Sequence, residues 1–209
     1  MARYEKGHKA DTHMRVVDIA ARRFRSDGID GVGVASLMAD AGLTHGGFYA
    51  HFASKEALVK EALIAALASS AALAQDEAEA AAPLDLRAYI EFYFSPAHRD
   101  KAATGCALAA LAPEIARRPR ATRNAFGKAA GRLAERIASA LPEAGSPEER
   151  LANAYGLFAL MMGSLQLARL VPDKNLSDRL LAVGRANALR LAGLDRAAGK
   201  APKVRAKKH

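Results

Sequence analysis

Tryptophan is absent from this chain of 209 residues, and cysteine occurs once, at Cys106. A single cysteine excludes an intrachain disulfide framework and a paired-cysteine zinc site, and it fits a reducing compartment. Aromatic residues make up only 6% of the chain; valine and isoleucine are sparse and alanine is abundant. That balance disfavours sheet and favours helix. The uncharged stretch from Ala62 to Leu73 is short and rich in serine and alanine, whereas a bilayer span needs about 20 apolar residues. The N-terminus, Met1-Ala2-Arg3-Tyr4-Glu5-Lys6, is charged and has no apolar signal core. A soluble, cytoplasmic protein with no membrane partner is expected. Catalytic signatures are missing as well: there is no Walker-type loop, no His-Glu-x-x-His and no Gly-x-Ser-x-Gly elbow. His8, His13, His45, His51, His98 and His209 do not cluster with acids at metal-ligand spacing. No enzyme, no cofactor and no metal are expected.

Positive charge is plentiful but unevenly placed. The net charge is +9. Residues 1–60 carry nine Lys/Arg against seven Asp/Glu, residues 61–113 three against seven, residues 114–193 thirteen against seven, and residues 194–209 six against one. A basic balance suits a nucleic-acid partner, but the first sixty residues hold little of it. Any DNA contact there depends on where the cations sit.

The stretch Gly42-Leu43-Thr44-His45-Gly46-Gly47-Phe48-Tyr49-Ala50-His51-Phe52 organises the N-terminal third. Leu37 to Ala41 forms a short helix, which Gly42 ends in the left-handed conformation glycine tolerates. Thr44 is placed to cap the next helix through its hydroxyl. That helix is about two turns long and turns Phe48 and Phe52, four apart, toward a core. His45, Gly46, Tyr49 and Ala50 then face outward, and a short helix with such a front fits a major groove. Two adjacent glycines cost about 2 kcal/mol against alanine inside a helix; their benefit is close approach of backbone to DNA. Base reading falls to Thr44 and His45, with Gly46 and Ala50 near thymine methyls. Ser54 caps the following helix, whose first turn holds Lys55; its free N–H groups and ammonium would grip a phosphate.

Upstream, residues 12–27 form a helix with the stripe Val17, Ala20, Ala21 and Phe24, closed by Gly28. Residues 1–11 are a polar arm whose Arg3, Lys6 and Lys9 reach DNA or solvent. Downstream, one long helix runs from Ser54 to about Ala82, ended by Pro83. Further helices are placed at about 84–95, 100–112, 119–141, 148–171 and 175–193, between breakers at Pro96, Pro113, Pro119, Pro142, Pro147 and Pro172. Nine helices and no strand make an all-α protein. The tail, residues 194–209, is basic and expected to be disordered, either adding salt-sensitive DNA affinity or only solubility.

The residues Ala20-Ala21-Arg22-Arg23-Phe24, Gly28, Ala41-Gly42-Leu43-Thr44, Gly47-Phe48-Tyr49-Ala50-His51-Phe52 and Ser54-Lys55-Glu56-Ala57-Leu58 together resemble the TetR family of bacterial transcriptional regulators. The resemblance covers roughly the first 65 residues. It implies a helix-turn-helix DNA-binding domain over residues 1–53, an effector-binding and dimerisation domain over 54–193, and a basic tail over 194–209. It places Thr12 and Arg15 near the DNA backbone and gives phosphate contacts to Tyr49 and His51, His51 having the alternative of a hydrogen bond inside the head. A capping Ser or Thr of the family falls here on Gly33, and Ser36 is the substitute. It implies a homodimer joined by the last two long helices, with Leu157, Leu160, Leu165, Leu181 and Leu189 as contacts and Gly156, Gly163, Gly184 and Ala188 allowing close approach. A two-fold dimer reads a near-palindromic double-stranded DNA operator.

Gly105-Cys106-Ala107-Leu108 with Pro113-Glu114 is similar to a Gly-Cys helix in one branch of the family. With the aromatics just before it, this suggests an effector pocket lined by Tyr89, Tyr93, Cys106, Phe126, Met162 and Gln166, with His98 and Arg169 as further anchors. The same residues also make sense as plain core. Cys106 is either a buried small hydrophobe or a sensor of electrophiles and oxidants. The expected function is a repressor released by a small-molecule effector. The alternatives are a thiol sensor acting through Cys106, an effector-independent nucleoid protein, and a helical enzyme that borrowed the head.

Overall fold

The computed structural model describes residues 2–68, 83–142 and 145–195, with side chains from Lys9 onward. The basic tail beyond Asp195 and the expected continuation of the long helix to residue 82 lie outside the described residues. Nine α-helices and two short 3-10 segments make up the described regular structure, and no strand occurs among them.

Helix α1 runs Ala2–Asp27. It starts ten residues before its expected N-terminus because residues 2–11 contain no proline and consist mostly of helix-tolerant Ala, Arg, Glu and Lys. Residues 2–11 are thus its first turns rather than an arm. Val16, Val17, Ala20, Ala21 and Phe24 are its buried stripe, and Gly28 stops it at a φ of 78°. Helix α2, Val34–Asp40, ends before Gly42, which has φ 69°. The recognition segment His45–Ala50 is a 3-10 helix rather than a two-turn α-helix. Helix α3 spans Lys55–Ala68, with Ser54 Oγ accepting from the Ala57 N–H at 3.1 Å.

The second half is α4 (Leu86–Tyr93), α5 (Pro96–Asp100), a 3-10 turn (Ala102–Thr104), α6 (Ala107–Ile115), α7 (Arg120–Ala140), α8 (Pro147–Leu170) and α9 (Lys174–Leu191). The expected helix over 84–95 is divided because Asp85 caps α4 and Ser95 caps a new helix, α5. Helix α8 begins with a capping box in which Ser146 and Glu149 satisfy each other's backbone. Pro113, expected as a breaker, sits inside α6. Its missing N–H leaves the Ala109 carbonyl without its helical partner. Gln166 Nε2 of α8 donates to that carbonyl at 3.0 Å. The proline is tolerated because a neighbouring helix supplies the lost bond.

Two apolar clusters hold the chain together. The first joins Phe24, Leu37, Met38, Phe48, Phe52, Leu58 and Leu63 of the N-terminal helices to Leu111, Ile115 and Phe126 of α6 and α7. The second packs Ile90, Tyr93, Leu133, Ile137, Leu157, Met161, Leu165 and Leu181 among α4, α7, α8 and α9. The head therefore shares its core with α6 and α7. Leu157, Leu165 and Leu181 are buried within their own chain, and Leu160 and Leu189 are half-buried against the same cluster, so the first three cannot be dimer contacts. A leucine stripe on an internal helix has the same period as one on a partner face. The exposed apolar side chains of these helices are instead Tyr155, Leu167, Leu170 and Val183.

By length and hydropathy α8 would also suffice to cross a membrane, a property the shorter run at Ala62 did not suggest. Here Ala154, Leu157, Phe158, Met161, Leu165 and Ala168 bury one of its faces in protein.

Helices α8 and α9 meet closely at Gly184, where an added Cβ would lie 2.5 Å from Phe94 Cε1 and 2.7 Å from Ser164 Cβ. Gly184→Ala is expected to destabilise the fold by about 1–3 kcal/mol, the usual cost of overpacking. Urea unfolding would measure it, and an unchanged midpoint would contradict this packing.

Candidate nucleic-acid interface and internal cavity

The recognition segment is held from behind. Phe48 is buried and stacks on buried Phe52, ring centroids 5.4 Å apart. His13 of α1 covers Phe52 at 4.4 Å and shares a 2.6 Å hydrogen bond with Glu61 of α3. His13 was missed as a framing residue because its partners lie 39 and 48 positions away. With this backing, Thr44, His45, Gly46 and Tyr49 all face solvent. Tyr49 is 69% exposed, an unusual position for a large ring in a monomeric surface. The Thr44 hydroxyl makes no capping bond, so the cap expected of it is absent and the group stays outward. Gly46 has negative φ and open space around a notional Cβ. Neither backbone conformation nor internal packing requires glycine there.

The other expected contacts divide. Lys55 sits half-exposed at the start of α3, beside the free N–H groups of its first turn. Arg15 is exposed on the outer face of α1 between Asp11 and Asp18. Thr12 is buried; because α1 begins at Ala2, Thr12 lies in the helix interior and has no free N-terminal amide to offer, so it cannot touch a phosphate. Ser36 Oγ donates to the Gly33 carbonyl at 2.8 Å, which uses the proton a phosphate would need. His51 is half-buried, and its Nδ1 has no hydrogen-bond partner, so the internal bond considered for it is not formed. Burial, then Lys9 and His13, hold its pKa below the ordinary imidazole value.

A cavity of about 190 Å³ lies behind the head, lined by Leu67 of α3, Tyr89, Phe92 and Tyr93 of α4, His98 of α5, Thr104, Gly105, Cys106, Ala107 of α6 and Leu133 of α7. Of the six residues expected there, Tyr89, Tyr93 and Cys106 line it. Phe126 packs instead into the first cluster, Met162 lies against the second, and Gln166 is committed to the Ala109 carbonyl. Arg169 donates to the His98 and Arg99 carbonyls, each at 3.0 Å, and so caps the end of α5 rather than facing the cavity. Leu67 and Leu133 carried no signal in sequence, since they belong to helices whose convergence is a tertiary fact.

Cys106 caps α6: its Sγ accepts from the Ala109 N–H at 3.4 Å, and its own N–H donates to His98 Nε2 at 3.0 Å. His98 Nδ1 lies 2.7 Å from the Tyr93 carbonyl. A carbonyl only accepts, so Nδ1 carries the proton and the ring is neutral. Burial, above all, keeps the His98 pKa below the ordinary value. The unfolded chain, with imidazoles near 6.5, therefore binds more protons than the folded one as the pH drops through that value. Stability should be flat above neutrality and fall from about pH 6.5 downward. Melting temperatures between pH 8 and 5 would show it, with a shallower slope in His98→Gln; a protein that melts higher at pH 5 than at pH 7 would contradict the neutral ring.

The cavity rim is tied to the head. Buried Arg25 of α1 donates to the Gly105 carbonyl at 3.3 Å and to the Ala66 carbonyl of α3 at 3.5 Å. At the other end of α6, Glu114 Oε2 accepts the Ile29 N–H at 2.7 Å. Thr122 of α7 donates to Glu56 of α3 at 2.6 Å, and Arg118 pairs with Asp30 and, at 3.6 Å, with Glu56.

A helical head with an outward recognition segment, fixed to a helical body containing a cavity, defines a helix-turn-helix DNA-binding regulator. The model of bacterial regulatory proteins of the tetR family matches residues 16–62, and that of the tetracyclin repressor-like C-terminal domain matches residues 82–183. Together they span well over half of the chain, which belongs to the TetR family and is a DNA-binding transcriptional regulator. Members of this family bind DNA and act as dimers. No curated protein matches the chain in sequence. Among solved structures, reduced NemR of E. coli is similar at 22% identity and TM-score 0.64, covering 86% of this chain and 96% of that one. A TetR-family transcriptional regulator from Cytophaga hutchinsonii is similar at 18% identity and TM-score 0.68, covering 89% and 95%. A TetR-family regulator from Streptomyces coelicolor follows at 22% and 0.60, covering 90% and 97%. At these identities the likeness is one of fold.

Proposed function

We propose that the protein is a homodimeric repressor that is released from a near-palindromic operator when a small molecule enters the cavity behind its head. The observation that carries this reading is the shared wall. Leu67 lines the cavity on α3, and the same helix begins at Lys55 beside the recognition segment. An occupant that displaces α3 moves the DNA-contacting end. Thr44 and His45 read bases, Gly46 permits close approach, and Tyr49, His51 and Lys55 hold phosphates. A differential affinity of about 1–3 kcal/mol between the two head positions is enough for a 5–150-fold change in DNA affinity.

The dimer uses the outward face of α8 and α9. Tyr155, Leu167, Leu170 and Val183 are exposed there. A Cβ at Gly156 or Gly163 would touch nothing within the chain, so these two glycines leave room for a partner helix. Gly184 and buried Ala188 serve contact within the chain instead.

Footprinting of the purified protein on DNA upstream of its own gene tests the reading, with wild type and Tyr49→Ala side by side. A protected near-palindrome that the variant fails to protect is expected. A folded dimer giving no protection at moderate salt would overturn autoregulation and favour an effector-independent nucleoid role.

Cys106 favours a second reading, a thiol sensor in the same cavity. It is half-buried, it caps the N-terminus of α6, and it feels the guanidinium groups of Arg25 and Arg169, a setting that stabilises thiolate. Cys106→Ser should then abolish release by electrophiles while operator binding persists; release that survives the substitution excludes it.

A further inference from the structure

We infer that the cavity selects an uncharged, single-ring aromatic molecule carrying one hydrogen-bond acceptor, and that the Tyr93 hydroxyl recognises that acceptor. The inference rests on the cavity being the effector site and names the effector's chemical class.

Four observations converge on it. The first is size. The volume is about 190 Å³, and a cavity of about 150 Å³ accommodates benzene. One ring with a short substituent fits, and a fused polycycle does not.

The second is the wall. Leu67, Ala107 and Leu133 are apolar, and Tyr89, Phe92 and Tyr93 add rings. Tyr89 and Tyr93 meet edge to face at 5.9 Å. Phe92, 52% exposed, stacks on His98 at 5.4 Å and closes one side of the mouth. Such surfaces favour a flat ring over a puckered one.

The third is charge. No charged side chain is among the lining residues. Both nitrogens of His98 are occupied, Nδ1 by the Tyr93 carbonyl and Nε2 by the Cys106 N–H, so His98 is neutral and has no free donor for an anion. Burial pushes both tyrosines above their ordinary value, so the phenols remain neutral too. A carboxylate or ammonium ligand would lose its hydration without a counter-charge.

The fourth is an unmet hydrogen bond. The Tyr93 hydroxyl is fully buried and has no partner. Burying an unsatisfied hydroxyl is costly. A ligand acceptor placed against it recovers that loss, whereas a pure hydrocarbon leaves it.

Calorimetry on the full-length dimer with four probes tests this: acetophenone, isopropylbenzene, benzoate and cyclohexyl methyl ketone. Acetophenone should bind reversibly. Isopropylbenzene, equal in shape without the acceptor, should bind about tenfold more weakly, the worth of one hydrogen bond. Cyclohexyl methyl ketone should also be weaker, and benzoate should show no binding. In Tyr93→Phe, acetophenone should fall to the level of isopropylbenzene while isopropylbenzene keeps its affinity, which also shows that the variant is folded. Leu133→Phe, which fills the cavity, should abolish all binding. Benzoate binding as tightly as acetophenone, equal affinity for acetophenone and isopropylbenzene in wild type, or no binding by any probe would overturn the inference. Operator footprints taken with acetophenone separate the two readings. Binding without release would overturn the effector role and leave the ligand class standing. Release that persists in Leu133→Phe would overturn the ligand class at this cavity.

Discussion

Gly46→Leu should leave the fold intact and reduce operator affinity toward the non-specific level, a loss of about 10³-fold or more. The argument starts from what glycine is not needed for. Its φ is not positive, and a Cβ on it would meet nothing within 4 Å. Glycine at such a position forgoes up to about 1 kcal/mol of helical stability relative to alanine. The gain must come from outside the chain, and the outside here is a major groove. Gly46→Ala should therefore melt at the same temperature or higher and still bind DNA less well. Gly47 is the control. Its notional Cβ would sit 3.7 Å from Met38 Cε and 3.8 Å from Thr44 Oγ1, ordinary contacts inside the head. Gly47→Ala should leave DNA affinity nearly unchanged. Fluorescence anisotropy across a salt series reads all three, and the salt slope set by Lys55 and other phosphate contacts should be preserved among them. A Gly46→Leu protein that binds as tightly as the parent would place the groove-facing surface elsewhere.

The head was legible because its signals are local. Gly28 and Gly42 mark helix ends through backbone geometry, and the Phe48–Phe52 pair marks the buried side of the recognition segment. Each depends on neighbours within a few positions. Where the sequence misled, the deciding partner was remote. Thr12 was taken for a residue near a helix start, yet the N-terminal residues continue the helix and turn it inward. Pro113 looks like a terminator until Gln166, from another helix, supplies the bond it lacks. Leu157, Leu165 and Leu181 have the spacing of a partner-facing stripe, and periodicity alone cannot tell a neighbouring helix of the same chain from one of a second chain. The cavity was half legible for the same reason. Tyr89, Tyr93 and Cys106 come from one short stretch, while Leu67 and Leu133 join them only through the packing of α3 and α7.

Arg25→Met should uncouple the cavity from the head while leaving DNA binding in place. Arg25 is buried, its Nε has no partner, and its two hydrogen bonds to carbonyls, 3.3 and 3.5 Å, are long. Burial works against its charge. Replacing such a cation with an apolar side chain of similar length is often neutral or stabilising, so stability gives no reason to keep it. Its position gives one. It joins α1, the end of α3 and the Gly105 carbonyl at the cavity rim, and Gly105 leads through Cys106 into α6. The far end of α6 holds the head a second time, where Glu114 accepts the Ile29 N–H. Helix α6 is therefore pinned to the head at both ends while one end faces the cavity. A ligand that shifts Gly105 must carry α1 with it as long as Arg25 is present. In Arg25→Met the ligand should bind as before and operator affinity without ligand should change by less than about threefold, within the scatter of an exposed substitution. The ligand-induced loss of operator affinity, 5–150-fold in typical coupled systems, should shrink toward one. Titrating operator DNA with and without effector, in wild type and variant, measures the coupling directly. An Arg25→Met protein that responds as strongly as the parent would assign transmission to α3 alone, through Leu67.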